Sequence, residues 1–169
     1  MITNTQQSVN YALALQIKNV LKDHGIKLAT AESCTGGMVA EAITSVPGSS
    51  EIFPGGVVSY CNEVKDRVLH VNKTHLDTKG PVNGRTAQEM ALGVQQLMNA
   101  DWAIATTGIA GPTGAEPGKP VGTVFFSIAS PNSADSFLEV FDGDREQIRL
   151  QATQFILAKF LQKLDEFYS

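Results

Sequence analysis

A buried strand that ends in a serine–glycine turn and continues into a helix constrains this chain more than any other feature. Residues 26–44 read IKLATAESCTGGMVAEAIT, an apolar run of strand length followed by Ser33 to Gly37 and then a helical pattern. The segment 55–69, GGVVSYCNEVKDRVL, follows a similar order, with Asn62 as a predicted helix cap and Lys65 in the first helical turn. Because strand–turn–helix units assemble into sheets covered by helices, these segments predict an α/β domain.

The rest of the chain continues the alternation. Apolar spacing predicts helices at about 5–24, 35–46, 62–71, 86–98 and 145–167, and strands at about 26–31, 52–61, 103–107, 121–129 and 136–141. The last two strands are joined through a turn at 131–133, which favours an antiparallel pair. We therefore predict one domain over residues 1–169, a three-layer α/β/α sandwich around a mostly parallel mixed sheet with a C-terminal antiparallel hairpin.

Composition narrows the function classes without naming one. Apolar residues make up 43% and charged residues 18%, which are ordinary globular values. The net charge of −4 argues against a broad nucleic-acid surface, which would show a basic excess. No apolar stretch reaches membrane-spanning length, and the N-terminus lacks the basic start and apolar core of a signal peptide. We expect a cytoplasmic protein without nucleic-acid or membrane partners.

Potential ligating residues indicate neither a metal nor a bound cofactor. The three histidines are scattered, and no acidic cluster suggests a metal site. The two cysteines, Cys34 and Cys61, lie beside the candidate site residues, and we expect both thiols to be reduced. A disulfide between them is the alternative, since the two strands that precede them could be neighbours.

Ser33 and Lys65 form a candidate catalytic pair, and each also has a structural interpretation. Ser33 could simply cap the next helix, although Thr35 is also available and Gly36 and Gly37 leave backbone donors exposed. Lys65 could be an ordinary solvated lysine. In the first turn of a helix, however, the positive potential of the helix lowers the pKa of a lysine, as burial does. A neutral amine is the proton acceptor that a serine nucleophile needs.

Two further features are compatible with a ligand. The glycine- and proline-rich stretch 107–122, TGIAGPTGAEPGKPVG, follows a predicted buried strand, where open α/β sheets place their ligands. Its structural alternative is a surface connection between two strands. Arg145 and Arg149 open the last helix, where the macrodipole does not favour arginine. An anionic ligand is one explanation, and a salt bridge to an acidic neighbour is the other.

Six segments together resemble the C-terminal domain of the competence/damage-inducible CinA family. They are TAESCTGG (30–37), PGSS (47–50), GGVVSYCNEVK (55–65), TGIAGP (107–112), KPVGTV (119–124) and GDR (143–145). The resemblance spans nearly the whole chain and implies an α/β/α fold. For family members without the separate N-terminal domain of the longer ones, it also implies an activity, hydrolysis of the carboxamide of nicotinamide mononucleotide. The products, nicotinate mononucleotide and ammonia, belong to pyridine-nucleotide recycling towards NAD, and we expect this chain to be of that stand-alone form.

The resemblance also assigns roles to residues. It maps the nucleophile onto Ser33, the lysine base onto Lys65 of a Tyr-x-Asn-x-x-Lys pattern, and a catalytic tyrosine onto Tyr60. Backbone amides of the serine turn are the expected oxyanion donors, and Arg145 and the glycine loop the expected ribose-phosphate contacts. The full set of expected substrate contacts is Cys34, Thr35, Gly36, Gly37, Ser49, Ser50, Asn62, Thr107, Gly108, Gly111 and Arg145.

The chain departs from the family pattern at a few positions. Thr113 stands where an aspartate is usual, and Ala115 also departs from the usual loop. Asn83 and Gly84 stand where a serine and a glutamate are common. These changes leave the candidate catalytic pair in place and bear on ligand affinity, substrate preference or oligomer contacts.

Two other function classes remain open. One is a pyridine-nucleotide-binding or regulatory protein without turnover. The other is an interaction module in DNA uptake or the damage response, which only the family's name suggests and which the acidic charge argues against as a direct DNA binder. The expected partners are the small-molecule substrate and a second copy of the chain, in a homodimer built on the apolar first and last helices.

Overall fold

The structure is a computed structural model that describes residues 4–169. Strands and helices follow one another largely as the sequence predicts, in the order α1 (Asn4–His24), β1 (Leu28–Glu32), α2 (Met38–Thr44), β2 (Gly55–Val58), α3 (Asn62–Leu69), α4 (Lys73–Lys79), α5 (Gly84–Met98), β3 (Trp102–Gly108), β4 (Thr123–Ala129), β5 (Ala134–Val140) and α6 (Arg145–Tyr168). Among these helices, none is long and apolar enough to cross a bilayer. The start of the segment compared above with signal peptides, residues 1–3, lies outside the described range.

The strands form one mixed sheet in the order β2-β1-β3-β4-β5. The β1–β2 and β1–β3 pairings are parallel, whereas β3–β4 and β4–β5 are antiparallel. Only β4 therefore runs against the other strands, and the predicted C-terminal hairpin is confirmed as β4–β5. The carboxyl ends of β1, β2 and β3 meet at one edge of the sheet, where α/β folds place their ligand sites.

Successive strand residues pack alternately into two hydrophobic cores, one on each face of the sheet. On one face, Leu28 and Ile104 lie in a cluster with α1, α2 and α6. On the other face, the small side chains of Ala29, Ala31 and Ala103 pack in a cluster with α3, α4 and α5. This period-2 burial gives the expected three-layer α/β/α sandwich, because neighbouring residues of a strand face opposite sides.

Element ends differ from the prediction where the backbone turns. The helix expected from residue 35 begins only at Met38, because Gly37 has a left-handed φ of 103°. The strand expected over residues 52–61 shrinks to Gly55–Val58, after a short 3₁₀ turn at Ser49–Glu51. Helix α4 was not predicted at all; its seven residues are too few to show a clear helical period.

A close helix contact fixes α3, the helix that carries Lys65. A Cβ on Gly93 of α5 would lie 2.0 Å from the backbone oxygen of Leu69, the last residue of α3. Glycine at this position thus lets the two helices approach at the backbone. The contact holds α3 against α5, and α5 in turn packs on the sheet.

Candidate active site

The chain continues from β1 and β2 into two segments that stay tied together beyond the last paired residues. The Ser33 amide donates to the carbonyl oxygen of Thr106 on β3, at 3.0 Å. The Ser59 amide donates to the carbonyl oxygen of Glu32 on β1, at 2.8 Å. The serine turn and the segment leading into α3 are therefore held side by side.

The structure brings the side chains of Ser33 and Lys65 together. The Lys65 Nζ donates a 3.0 Å hydrogen bond to Ser33 Oγ and a second, 2.6 Å bond to the carbonyl oxygen of Ser59. Lys65 is 1% exposed, so its amine has left bulk water for two uncharged acceptors. Such an environment favours the neutral amine over the ammonium ion.

Burial is the main cause of a large shift in the Lys65 amine. It lowers the pKa of Lys65 from 10.5 to about 8, against smaller opposing effects of Cys34 and Cys61. At neutral pH, about a tenth of such a group is unprotonated, roughly 300-fold more than for a lysine with an ordinary pKa. Lys65 can therefore accept a proton from a neighbouring hydroxyl.

The neighbouring thiol is not a competing nucleophile. Burial raises the pKa of Cys34 from 9.0 to about 12, so the thiol stays protonated at neutral pH. The hydrogen bond from Lys65 goes to Ser33, not to the sulfur. Cys34 and Cys61 are both free in the structure, as expected, with Cys34 buried and Cys61 exposed.

A buried carboxylate organises the serine turn. Glu32 is 1% exposed, and its oxygens accept from the hydroxyl of Thr35 and from the amides of Gly37, Val39 and Ala40. It thus satisfies the unpaired amides at the start of α2, the role that the sequence suggested for Ser33 or Thr35. Ser33 is freed from capping, and its hydroxyl is available to Lys65.

Arg149 binds the backbone carbonyl groups of the serine turn. Its guanidinium donates to the carbonyl oxygens of Cys34, at 3.1 Å, and Thr35, at 2.9 Å. The sequence analysis explained this arginine by an anionic ligand or by a salt bridge. Neither explanation included the hydrogen bonds to backbone carbonyls that the structure shows. Gly36 admits the guanidinium, because a Cβ there would lie 3.0 Å from Arg149 Nη2.

A cavity of about 170 Å³ opens beside the pair. It is lined by Ser33, Cys34, Tyr60, Lys65, Pro81, Val82, Thr107, Gly108, Ala110 and Arg145. The Thr107 hydroxyl donates to Pro81 O, which ties the end of β3 to the segment before α5. One cavity thus contains the Ser33 hydroxyl, the Lys65 amine and the Arg145 guanidinium.

Arg145 and Tyr60 bridge the wall of this cavity. One nitrogen of the Arg145 guanidinium donates to Tyr60 Oη at 2.7 Å, and another donates to the carbonyl oxygen of Gly111 at 2.8 Å. Tyr60 is 61% exposed, and its hydroxyl accepts from Arg145 and not from Lys65. Arg145 therefore links the segment before α3 to the glycine-rich loop.

Several predicted contacts lie elsewhere. The Ser49 hydroxyl donates to the carbonyl oxygens of Ile43 and Val46, and Ser49 and Ser50 line a different cavity. Asn62 is the first residue of α3 and lines another surface cavity, whereas Cys61 is the residue that precedes the helix. None of the three lines the cavity that holds Lys65.

The family departures also lie outside that cavity. The Asn83 side chain accepts from the Thr86 amide and so caps α5. Gly84 begins that helix and packs against Ser136, which a Cβ would approach to 2.8 Å. Thr113 and Ala115 are exposed in the glycine-rich loop.

The other cavities do not pair a buried lysine with a serine. Lys163, which shares a cavity with Ser130 and Ser133, donates to Asp135 instead. A larger one, of about 300 Å³, lies between α1, α2 and α6, and its lining includes neither a lysine nor an arginine. Within residues 4–169, no group of three or more histidine, cysteine, aspartate or glutamate side chains could hold a metal ion. The Ser33–Lys65 cavity is therefore the candidate active site.

Sequence reasoning missed the roles of three contributors. Glu32 directly precedes Ser33 at the end of a buried strand, a position that could have identified it as a cap. Ser59 acts on Lys65 through its backbone carbonyl, for which no side-chain signal exists. Arg149 was noticed, but its contacts lie more than a hundred residues earlier in the chain.

Comparison with known proteins identifies the family. The model described as the CinA C-terminal domain matches residues 10–164. A "CinA-like protein" from Geotalea uraniireducens is 45% identical over 147 residues, covering 87% of this chain and 35% of the relative. A "putative competence-damage inducible protein" from Caldanaerobacter subterraneus is 47% identical over 133 residues, covering 79% and 32%. The chain spans about a third of the length of these curated relatives.

Solved structures agree over nearly the full chain. The competence damage-inducible protein A from Klebsiella pneumoniae has a TM-score of 0.89 and 35% identity, covering 92% of this chain and 97% of that one. A CinA superfamily protein from Escherichia coli has a TM-score of 0.84 and 32% identity, covering 96% and 93%. The chain, with its α/β fold and its match over residues 10–164, belongs to the CinA C-terminal domain family.

Proposed function

We propose that this chain hydrolyses the carboxamide of nicotinamide mononucleotide to nicotinate mononucleotide and ammonia, in pyridine-nucleotide recycling. The observation that carries the proposal is the 3.0 Å hydrogen bond between Lys65 Nζ and Ser33 Oγ inside a cavity. A serine paired with a buried amine whose pKa is about 8 suits nucleophilic attack on an acyl group.

In the first half of the reaction, the enzyme becomes acylated. Neutral Lys65 takes the proton of Ser33 Oγ as that oxygen attacks the carboxamide carbon, giving a tetrahedral intermediate. The C–N bond then breaks, and Lys65 returns the proton to the leaving nitrogen, so that ammonia departs. The product is an ester between Ser33 and the nicotinoyl group.

In the second half, water replaces ammonia. Lys65, again neutral, accepts a proton from a water molecule that attacks the ester carbonyl. The bond to Ser33 Oγ breaks, Oγ recovers its proton from Lys65, and nicotinate mononucleotide leaves. One lysine therefore serves as base and acid in both halves, as microscopic reversibility requires.

The amides of Cys34 and Thr35 are the proposed oxyanion donors. The sequence suggested the whole turn, but the Gly36 amide donates to Ser33 O, and the Gly37 amide donates to Glu32. The oxygen sides of the two peptides that carry the Cys34 and Thr35 amides are already bound, Ser33 O by the Gly36 amide and Cys34 O by Arg149, so both N–H groups point away from these contacts. Cys34 itself lines the cavity. Donors placed there would stabilise the negative oxygen of the tetrahedral intermediate.

The size of the cavity indicates how the substrate would lie. Its volume of about 170 Å³ is below the ~300–1,000 Å³ of typical sites for drug-sized ligands, so it holds only part of a mononucleotide. We assign the carboxamide end to the space beside Ser33. The ribose phosphate would then extend towards exposed Arg145, whose guanidinium suits a phosphate.

Tyr60 fits an orienting role better than a proton relay. Its hydroxyl accepts from Arg145, whereas Lys65 is held by Ser33 and Ser59. We propose that Tyr60 positions the guanidinium that receives the phosphate. It would thereby affect substrate binding more than the chemical step.

An ammonia-release assay with nicotinamide mononucleotide tests the proposal. Ser33→Ala and Lys65→Ala should each lower kcat by roughly 10³-fold or more, because no neighbouring side chain would take over as nucleophile or as base. Ser130→Ala in the distant β4–β5 hairpin and Lys79→Met on exposed α4 are matched controls that should keep full turnover. Near-native turnover in either site variant, or no ammonia from the wild type, would show that the proposed function is wrong.

A further inference from the structure

We infer that Arg149 is a positioning residue: it fixes the peptide group that supplies the Thr35 oxyanion donor directly, and the one that supplies the Cys34 donor through the Gly36 amide. This role rests on the proposed acyl-transfer chemistry, but not on the identity of the amide substrate. Arg149 does not line the cavity. Its effect would reach the reacting atoms only through the backbone of the serine turn.

The first step of the argument is which carbonyls are held. The carbonyl oxygen of Ser33 accepts from the Gly36 amide at 3.0 Å. The carbonyl oxygen of Cys34 accepts from Arg149 Nε at 3.1 Å, and that of Thr35 from Arg149 Nη2 at 2.9 Å. Three successive peptide groups are thus fixed on their oxygen side, two of them by one guanidinium.

The second step is what this does to the N–H groups. In a trans peptide, the C=O and the following N–H point in opposite directions. The Cys34–Thr35 peptide is trans, since Gly111–Pro112 is the only cis bond within residues 4–169. Holding the Cys34 oxygen therefore aims the Thr35 N–H away from Arg149. Arg149 also holds the Thr35 oxygen, which belongs to the same peptide as the Gly36 N–H. That N–H holds the Ser33 oxygen and so aims the Cys34 N–H away from the Gly36 amide.

The third step is electrostatic. A guanidinium bound to a peptide oxygen polarises that peptide and strengthens its N–H as a donor, because linked hydrogen bonds reinforce one another. Arg149 also places a full positive charge behind the turn, on the side opposite the amides that would receive the oxyanion. A neutral replacement would lose both the orientation and this favourable field.

A helix-anchoring role alone would not explain these contacts. Helix α6 is already capped by Asp144, whose side chain accepts from the Gln147 amide, and it is packed through several buried apolar residues. Gly36, with a φ of 61°, leaves the space that the guanidinium occupies. The serine turn, rather than α6, is the element that depends on Arg149.

The test compares Arg149→Met, Arg149→Lys and a control, Lys159→Met. The control removes a positive charge from the same helix about 15 Å away, at a rise of 1.5 Å per residue. Each variant is assayed for kcat and KM with nicotinamide mononucleotide. Each is also assayed for the rate at which an alkyl fluorophosphonate labels Ser33. In that reaction Ser33 Oγ displaces fluoride, Lys65 takes the proton, and the phosphonyl oxygen occupies the oxyanion position.

We expect Arg149→Met to lower kcat and the labelling rate together by about 10- to 100-fold. The KM and the pH midpoint set by Lys65 should not change, and millimolar methylguanidine should restore part of the labelling. Arg149→Lys keeps the positive charge but loses the paired guanidinium donors, so its kcat and labelling rate should lie between those of the wild type and Arg149→Met. It decides the question if the methionine variant does not fold, as judged by thermal unfolding.

Three results would overturn the inference. The first is a folded Arg149→Met protein that labels as fast as the wild type. The second is an Arg149→Met protein whose pH midpoint is shifted while its rate at high pH is unchanged, and the third is a wild type that does not label at Ser33. If the wild type labels at Ser33 but releases no ammonia from nicotinamide mononucleotide, the proposed substrate is wrong. The labelling rates of the variants then still decide the role of Arg149.

Discussion

Lys65 Nζ lies 3.0 Å from Ser33 Oγ, and the other hydrogen bond of that amine goes to the uncharged carbonyl oxygen of Ser59. No carboxylate takes part in these bonds. The low pKa of Lys65 therefore comes from burial, which penalises the ammonium form, and not from a nearby cation. The proposed catalytic role and a cost to folding therefore arise from the same buried amine.

The first prediction concerns pH. Because the base must be neutral and the pKa of Lys65 is about 8, kcat/KM should rise about tenfold per unit below that value and level off above it. Rates of ammonia release between about pH 6 and about pH 10 measure this profile. A flat profile, or a midpoint near the ordinary lysine value, would contradict the role of Lys65 as base.

The second prediction is that Lys65→Met stabilises the fold while abolishing turnover. Folding lowers the pKa of Lys65 from 10.5 to about 8, so the unfolded chain binds more protons between these values. The wild type should therefore gain stability as pH rises through that window, and below it carry a penalty of up to about 3 kcal/mol. Methionine removes the penalty but leaves the Ser59 carbonyl without this partner, so the net gain should be smaller.

Urea unfolding near neutral pH and at about pH 10.5 measures this difference. The advantage of Lys65→Met should shrink at the higher pH, where the folded amine is neutral and only about half of the unfolded amine is still protonated. Lys79→Met, an exposed lysine on α4, should change stability little at either pH. A Lys65→Met protein that is less stable than the wild type by the same amount at both values would refute the account.

The third prediction concerns Glu32. Glu32→Gln replaces one acceptor oxygen with an NH₂ group, which faces donors already aimed at the carboxylate. With the residue 1% exposed, the loss should be about 2–4 kcal/mol of unfolding free energy, and turnover should fall as the serine turn loosens. Glu41→Gln, exposed on α2, the helix whose first amides Glu32 binds, serves as the control. Equal stability of the two variants would exclude the capping role.

The fourth prediction concerns substrate choice. Arg145→Met should raise KM for nicotinamide mononucleotide by about 10- to 100-fold, the value of a lost charge-assisted contact of ~1.5–3 kcal/mol. Activity on nicotinamide riboside, which lacks the phosphate, should change little. Arg67→Met, an exposed ion pair with Glu63 on α3, should have no effect on either substrate. An equal loss with both substrates would mean that Arg145 does not read the phosphate.

Local patterns predicted the fold well. The short apolar runs of β1 and β3, the turn residues after each strand, and the amphipathic α5 are local signals. They led to the correct layers and to the β4–β5 hairpin. The ends of β2 and α2 were misplaced, because a left-handed Gly37 and the early turn after Val58 depend on the tertiary contacts around Glu32.

The candidate site divides in the same way. Ser33, Lys65, Tyr60 and Arg145 could be named from the sequence and meet around one cavity. Ser49, Ser50 and Asn62 could be named too, but they line other cavities. A segment pattern does not say which way a side chain points after a turn.

The sequence by itself determined most of the element types, the antiparallel pairing of β4 with β5, and the chemical groups available for a reaction. Only the tertiary structure decided that the Lys65 amine is buried against Ser33, that Glu32 frees the serine from capping, and that Arg149 holds the turn from behind. The physical reason is range. Propensity and periodicity act over a few residues, whereas desolvation and hydrogen-bond direction depend on neighbours that lie tens of residues apart in the chain.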